Sequence, residues 1–188
     1  MASDPKTAFI PAADVEVFDV YSNDIFTDRK RFFGSHLGEL VLLVKQDVAP
    51  GKMDARFMQQ LHFLRTLQHE NLLKFHGLYV EEHRPDKTVD VVYAFPEGGT
   101  LSALLFDRPE AELTWPFKLK IAQDAANALK VLHDNNVLHN DLRSYNLVLN
   151  QQGDCLLMEF ATSAQLSDIF CPELVRESGD LTYMAPEV

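Results

Sequence analysis

The chain has 188 residues, 46% of them hydrophobic and 24% charged, which is the composition of an ordinary globular protein with material for one or two compact units. A formal charge of -11 argues against nucleic acid or an anionic membrane as partner, since both call for basic patches. Cys155 and Cys171 form no C-x-x-C pair, no apolar run reaches membrane-span length and Met1 to Lys6 does not read as a signal peptide, so a reducing, cytoplasmic setting without zinc or a disulfide framework is expected.

In chain order, residues 1–14 are small and polar with Pro5 and Pro11 and read as a flexible lead. Val15 to Phe33 alternates loosely as strands do, and Gly34 to Gly38 reads as a turn before a branched apolar strand, Leu40 to Gln46, with Lys45 near its end. Between Met53 and His69, Phe57, Leu61, Leu64 and Leu67 recur at helical spacing. Leu72 to Val80 and Val89 to Phe95 read as two strands around a charged turn, and Pro96 to Gly99 as a further turn. A short helix, Leu101 to Phe106, and an acidic loop precede Thr114-Trp115-Pro116, a helix start. Phe117, Ile121, Ala125, Ala128 and Leu132 form the buried stripe of that helix. Leu147 to Asn150 and Cys155 to Met158 make a hairpin that ends at Glu159. Strands come first and helices dominate later, an α+β plan.

Between the long helix and the hairpin lies Val137-Leu138-His139-Asn140-Asp141-Leu142-Arg143-Ser144-Tyr145-Asn146, a polar loop set between apolar segments. An Asp and an Asn five residues apart suit phosphoryl transfer, in which one accepts the substrate hydroxyl's proton and the other holds a metal on the phosphates. Upstream is Val41-Leu42-Leu43-Val44-Lys45; downstream are Met158-Glu159-Phe160-Ala161 and Ala185-Pro186-Glu187, in the order of the V-A-I-K, D-F-G and A-P-E motifs. Over roughly residues 15–188 the chain resembles a protein kinase domain, nearest the tyrosine-kinase-like group.

The resemblance implies a two-lobe fold, with a β-rich N-lobe over 15–95 and a mainly helical C-lobe over 96–188. Catalytic positions fall on Lys45, Asp141 and Asn146; the nucleotide-binding set on Lys45, Leu43, Tyr93, Phe95 and Val148; metal ligands on Asn146 and Glu159; and regulatory positions on Gln60, Leu64, Phe75, His139 and Phe160. ATP and Mg2+ are the implied ligands of an active member.

Several positions depart from the pattern. No glycine precedes Gly34 where a glycine-rich loop is implied, and Asp24 and Asp28 would place negative charge near a polyphosphate. Leu43 replaces a small residue and, with Tyr93, is expected to narrow the adenine slot. Gln60 stands where a Glu would pair with Lys45, and Glu159 and Ala161 stand where Asp and Gly are usual. Asn140 replaces an Arg that grips a loop phosphate, so control through Ser163, Ser167, Ser178, Thr182 or Tyr183 is not expected by that route. Lys45 is expected to pair with Glu159 instead. The chain stops at Val188, where the resemblance implies a further helix, so either a fragment or a naturally truncated product is expected, with an open, association-prone face on the lower lobe.

These departures point to a pseudokinase, a degenerate family member acting as a signalling scaffold or allosteric module with weak or no ATP binding, and with other signalling proteins as partners. The alternative is an active Ser/Thr or Tyr kinase using Lys45, Asp141 and Asn146, with Glu159 as an unusual metal ligand.

Overall fold

A computed structural model of the chain describes residues 8–23, 30–46, 48–53, 55–81, 88–107, 113–159, 164–165, 182–183 and 186. Two compact units emerge, Met1–Leu67 with Lys74–Phe95, and Gln68–Leu73 with Pro96–Val188.

The first unit is an antiparallel sheet with one helix. Its strands are β1 (Val15–Asn23), β2 (Lys30–His36), β3 (Glu39–Lys45), β4 (Phe75–Val80) and β5 (Val89–Ala94), in the order β1-β2-β3-β5-β4, and α1 spans Ala55–Thr66. Branched side chains at Val41 to Val44 suit a strand buried on both faces, and all four are fully buried at the centre of the sheet. Leu37 and Gly38 join β2 to β3 at φ 53° and 84°, the two positive values that a tight hairpin turn demands. Gly34 is therefore a strand residue; a Cβ there would lie 2.2 Å from the Glu16 carbonyl oxygen, so close approach of β1 requires glycine. Register shifts in β1 between Val17 and Asp19 and between Val20 and Ser22 bend this edge strand.

Two expectations change here. The lead is tied down from Ala8 onward: Phe9 bridges Leu78 in parallel, the Ile10 N–H donates to the Leu78 carbonyl at 2.8 Å, and Ala8 is buried. Gly77 leaves the room that Ile10 occupies, since a Cβ would meet its Cγ1 at 2.6 Å. The run Leu72 to Val80 is not one strand either. Leu73 N–H donates to the Leu157 carbonyl at 2.9 Å, which assigns Leu72 and Leu73 to the second unit, and β4 begins only at Phe75.

The second unit holds β6 (Gly99–Thr100), a π-helical turn at Ala103–Asp107 in place of the expected ordinary helix, α2 (Trp115–Asp134), β7 (Val137–Leu138), β8 (Leu147–Leu149), β9 (Cys155–Leu157) and β10 (Ala164–Gln165). Strands β6, β8 and β9 form one antiparallel sheet; β7 and β10 form a separate pair. Thr114 precedes α2 in extended geometry with Pro in the first turn, and Asn136 at φ 58° closes the far end. Ile121, Ala128 and Leu132 are its buried stripe. Asp124 on α2 accepts the Cys155 N–H at 2.9 Å and an ion pair from Lys120, whose ammonium also meets Asp154 at 2.6 Å. The helix is thus fastened to the β8–β9 hairpin beside the predicted catalytic loop. No helix among the described residues is long and apolar enough to cross a membrane. The fold is α+β, a sheet-rich unit followed by one built on a long helix.

Candidate functional site

The loop from β7 to β8 is organised by its own side chains. His139 is buried, and its ring stands between two backbone groups: the Asp141 N–H donates to Nδ1 at 3.3 Å, so Nε2 carries the proton and donates to the Met158 carbonyl at 2.9 Å. Asn140, next in sequence, sits at φ 63°, a left-handed conformation that Asn tolerates better than most residues. Asn146 turns back on the loop, and its Nδ2 donates to the Asp141 carbonyl and to Asp141 Oδ2, both at 2.8 Å. Arg143 Nε lies 3.1 Å from Asp141 Oδ1, with side-chain exposures of 0% for Arg143 and 2% for Asp141. Both oxygens of the expected proton acceptor are engaged by its own loop. The Arg143 guanidinium carbon also lies 5.6 Å from the Tyr145 ring centroid.

The hairpin adds the second half. Met158 N–H donates to the Asn146 carbonyl at 3.0 Å, which brings the segment before Glu159 alongside the loop. Glu159 is fully buried and adopts φ 71°, a conformation that costs a non-glycine residue about 1–2 kcal/mol. Asn146 and Glu159 offer oxygen donors of the right chemistry for Mg2+, but that ion keeps several waters and binds near open, substrate-facing carboxylates. A wholly buried Glu159 does not fit it, whereas the Asn146 bonds to Asp141 use Nδ2 and leave the Oδ1 chemistry of that side chain unchanged. No cluster of three or more acidic, His or Cys side chains suited to a metal occurs among the described residues.

In the first unit the β3–β5 register settles which residues share a face. Leu42 opposes Tyr93, Leu43 opposes Val92, and Lys45 opposes Asp90. Directly opposed residues point the same way and neighbours along a strand point opposite ways, so Leu43 and Tyr93 lie on opposite faces and do not narrow one slot together. Leu43 instead joins Val15, Val41, Tyr79 and Val92 in an apolar cluster. Tyr93 meets Phe75 edge-on, with ring centroids 6.3 Å apart, on the other face. Phe95 packs edge-on against Tyr21 at 5.6 Å.

In the second unit the structure brings together His139, Asp141 and Asn146, places buried Val148 on β8 opposite Thr100 and Leu156, and puts Glu159 directly after the hairpin. Leu64 is half-buried on α1, and Gln60 lies on the same helix with its side chain outside the described residues. Phe160, Ala161, Asp24, Asp28 and most of the segment Thr162 to Met184 lie outside them too; Tyr183 lies within, its hydroxyl 2.9 Å from Ser144 Oγ. The sequence reading missed Arg143, the buried partner of Asp141, and Asp90, a fully buried carboxylate. For Asp90 the available signal was a charge amid residues otherwise expected to be buried; Arg143, in a polar loop, offered none.

Comparison with known proteins bears on the family. The family model described as protein tyrosine and serine/threonine kinase matches residues 37–188. The chain is 29% identical over 145 residues to LIM domain kinase 1 of Drosophila melanogaster, covering 77% of this chain and 11% of that protein. It is 32% identical over 162 residues to PTI1-like tyrosine-protein kinase 2 of Arabidopsis thaliana, covering 80% and 43%, and 31% identical over 142 residues to phytosulfokine receptor 2 of the same plant, covering 73% and 13%. The chain thus spans less than half the length of each of these relatives. It belongs to the protein tyrosine and serine/threonine kinase family.

Proposed function

We propose that this chain is a pseudokinase module of the tyrosine-kinase-like group, acting through binding of other signalling proteins with little or no phosphoryl transfer. The observation that carries the reading is Asp141: a general base must reach the proton it removes, whereas this carboxylate is 2% exposed and held at both oxygens by Arg143 and Asn146. The poor fit of a wholly buried Glu159 to Mg2+, which the family uses with ATP, supports it. A buried, free Cys155 is in keeping with a reducing compartment such as the cytoplasm.

The second reading is an active kinase, favoured by the 2.8 Å bond that keeps Asn146 on Asp141 and by the survival of Lys45. Thermal shift of the full chain with millimolar Mg-ATP, followed by autophosphorylation against an Asp141→Asn control, separates the two. No shift and no labelling above the control are expected. Micromolar binding abolished by Lys45→Ala, with labelling lost in Asp141→Asn, would establish the active reading.

A further inference from the structure

Asp90 interrupts an apolar strand, Val89-Asp90-Val91-Val92, and is fully buried there. A carboxylate removed from water is costly unless a charge or donors compensate it. Two chemically suitable groups flank it across the sheet, since Lys45 of β3 and Tyr79 of β4 are both its directly opposed residues. The three form a row over β3, β5 and β4 on the face that also carries Leu43 and Val92. Beyond β3, Gln46 N–H donates to the Val89 carbonyl at 2.8 Å. Hydrogen-bonded and non-hydrogen-bonded pairs alternate in an antiparallel ladder, so Lys45 and Asp90 occupy the adjacent non-hydrogen-bonded position, where side chains approach most closely.

We infer that Asp90 is the resident counter-charge of Lys45, with the Tyr79 hydroxyl as its second donor, and that this row takes the place of the helix-borne acid missing at Gln60. The ammonium that would hold nucleotide phosphates is thereby engaged within its own sheet, and an incoming anion must compete with a covalently tethered carboxylate. Asp90 is a positioning residue acting through Lys45. The consequence for nucleotide rests on the function proposed above; the pair itself does not.

Lys45 reports on the pair directly. Labelling of its amine in the full chain by an amine-reactive ester at one fixed pH, read by peptide mass spectrometry, gives its reactivity in place. In Asp90→Asn the labelling rate should rise several-fold; Asp90→Glu should restore most of the original rate, and Glu159→Gln should leave it unchanged. A rate unmoved by Asp90→Asn, or one moved by Glu159→Gln instead, would overturn the assignment. A double-mutant cycle with Lys45→Met and Asp90→Asn covers the case of altered folding: the double variant should unfold no earlier than the weaker single one, and strictly additive shifts would refute the pair. Mg-ATP thermal shift on Asp90→Asn tests the consequence separately. A gain of binding supports competition, whereas micromolar binding by the unaltered chain would defeat the proposed function and leave the labelling result intact.

Discussion

The Asp141–Arg143 pair decides whether the loop is kept for chemistry or for structure. Arg143→Met removes the guanidinium 3.1 Å from a carboxylate that is 2% exposed. Breaking one side of a buried pair costs about 3–5 kcal/mol, and the Asn146 bond at 2.8 Å survives to hold the carboxylate in place. Asp141→Asn removes the carboxylate from beside a buried guanidinium, and because the Tyr145 contact at 5.6 Å is present before and after, a comparable cost of about 3–5 kcal/mol is expected. Removing both charges together should cost under about 2 kcal/mol, because a buried pair replaced by neutral groups is often near neutral. The single losses are a large fraction of the ~5–15 kcal/mol that holds a domain together. Urea unfolding of the four proteins measures all three quantities. Additive losses would refute the reasoning, and so would an Asp141→Asn variant that is as stable as the parent or more so while losing phosphoryl transfer, since that is how a residue held for catalysis behaves.

Three further outcomes are expected. Leu37→Gly should raise stability by ~0.5–1 kcal/mol, because Leu37 is exposed in the left-handed region at φ 53°, and a lower melting temperature would contradict the hairpin turn. Burial pushes the Cys155 thiol up to about 12, so on a Cys171→Ser background a disulfide reagent at mildly alkaline pH should react only as fast as the chain unfolds in urea; rapid reaction of the native protein would refute that burial. Burial first, then Lys74 and His36, hold the pKa of His76 below its ordinary 6.5, with Glu39 opposing. The unfolded chain therefore takes up this proton first as pH falls, and stability should decline from about pH 7 downward; His76→Gln should flatten part of that decline in melting temperatures taken at intervals to pH 5, and an unchanged slope would count against it.

Much of the fold was legible because the relevant signals are local. Four branched residues in a row announce a strand buried on both faces, and Thr114 with Pro116 announces the start of α2. The loop was legible through the fixed distance from Asp141 to Asn146, which a hydrogen bond between them makes structurally necessary. What escaped was register. Alternation along β3 says that Leu43 and Lys45 share a face, but whether Tyr93 shares it depends on how β5 aligns, and a slip of one residue exchanges the faces. The same limit hid Asp90 as the residue directly opposite Lys45. Leu72 and Leu73 were misread for a related reason: an apolar run continues smoothly into β4, and only the bonds to Asn71 and Leu157 reveal a change of partner.

The persistence of a catalytic-looking loop in a chain read as non-catalytic has a physical explanation in these bonds. Asn140 and Glu159 both hold left-handed conformations, and a non-glycine residue such as Glu159 carries about 1–2 kcal/mol of strain there. Holding them are five hydrogen bonds: His139 to the Met158 carbonyl, the Asp141 N–H to His139, the Met158 N–H to the Asn146 carbonyl, and two from Asn146 to the Asp141 carbonyl and carboxylate. At roughly 1 kcal/mol each, with the one to a carboxylate stronger, they outweigh the strain. Loss of His139, Asp141 or Asn146 would therefore unmake a turn that the hairpin depends on, whatever becomes of phosphoryl transfer. Lys45 follows the same logic in the other unit if Asp90 needs its charge. On the function proposed above, a residue pattern shaped for catalysis is retained for folding, because Asp141, Arg143 and Asn146 bind one another.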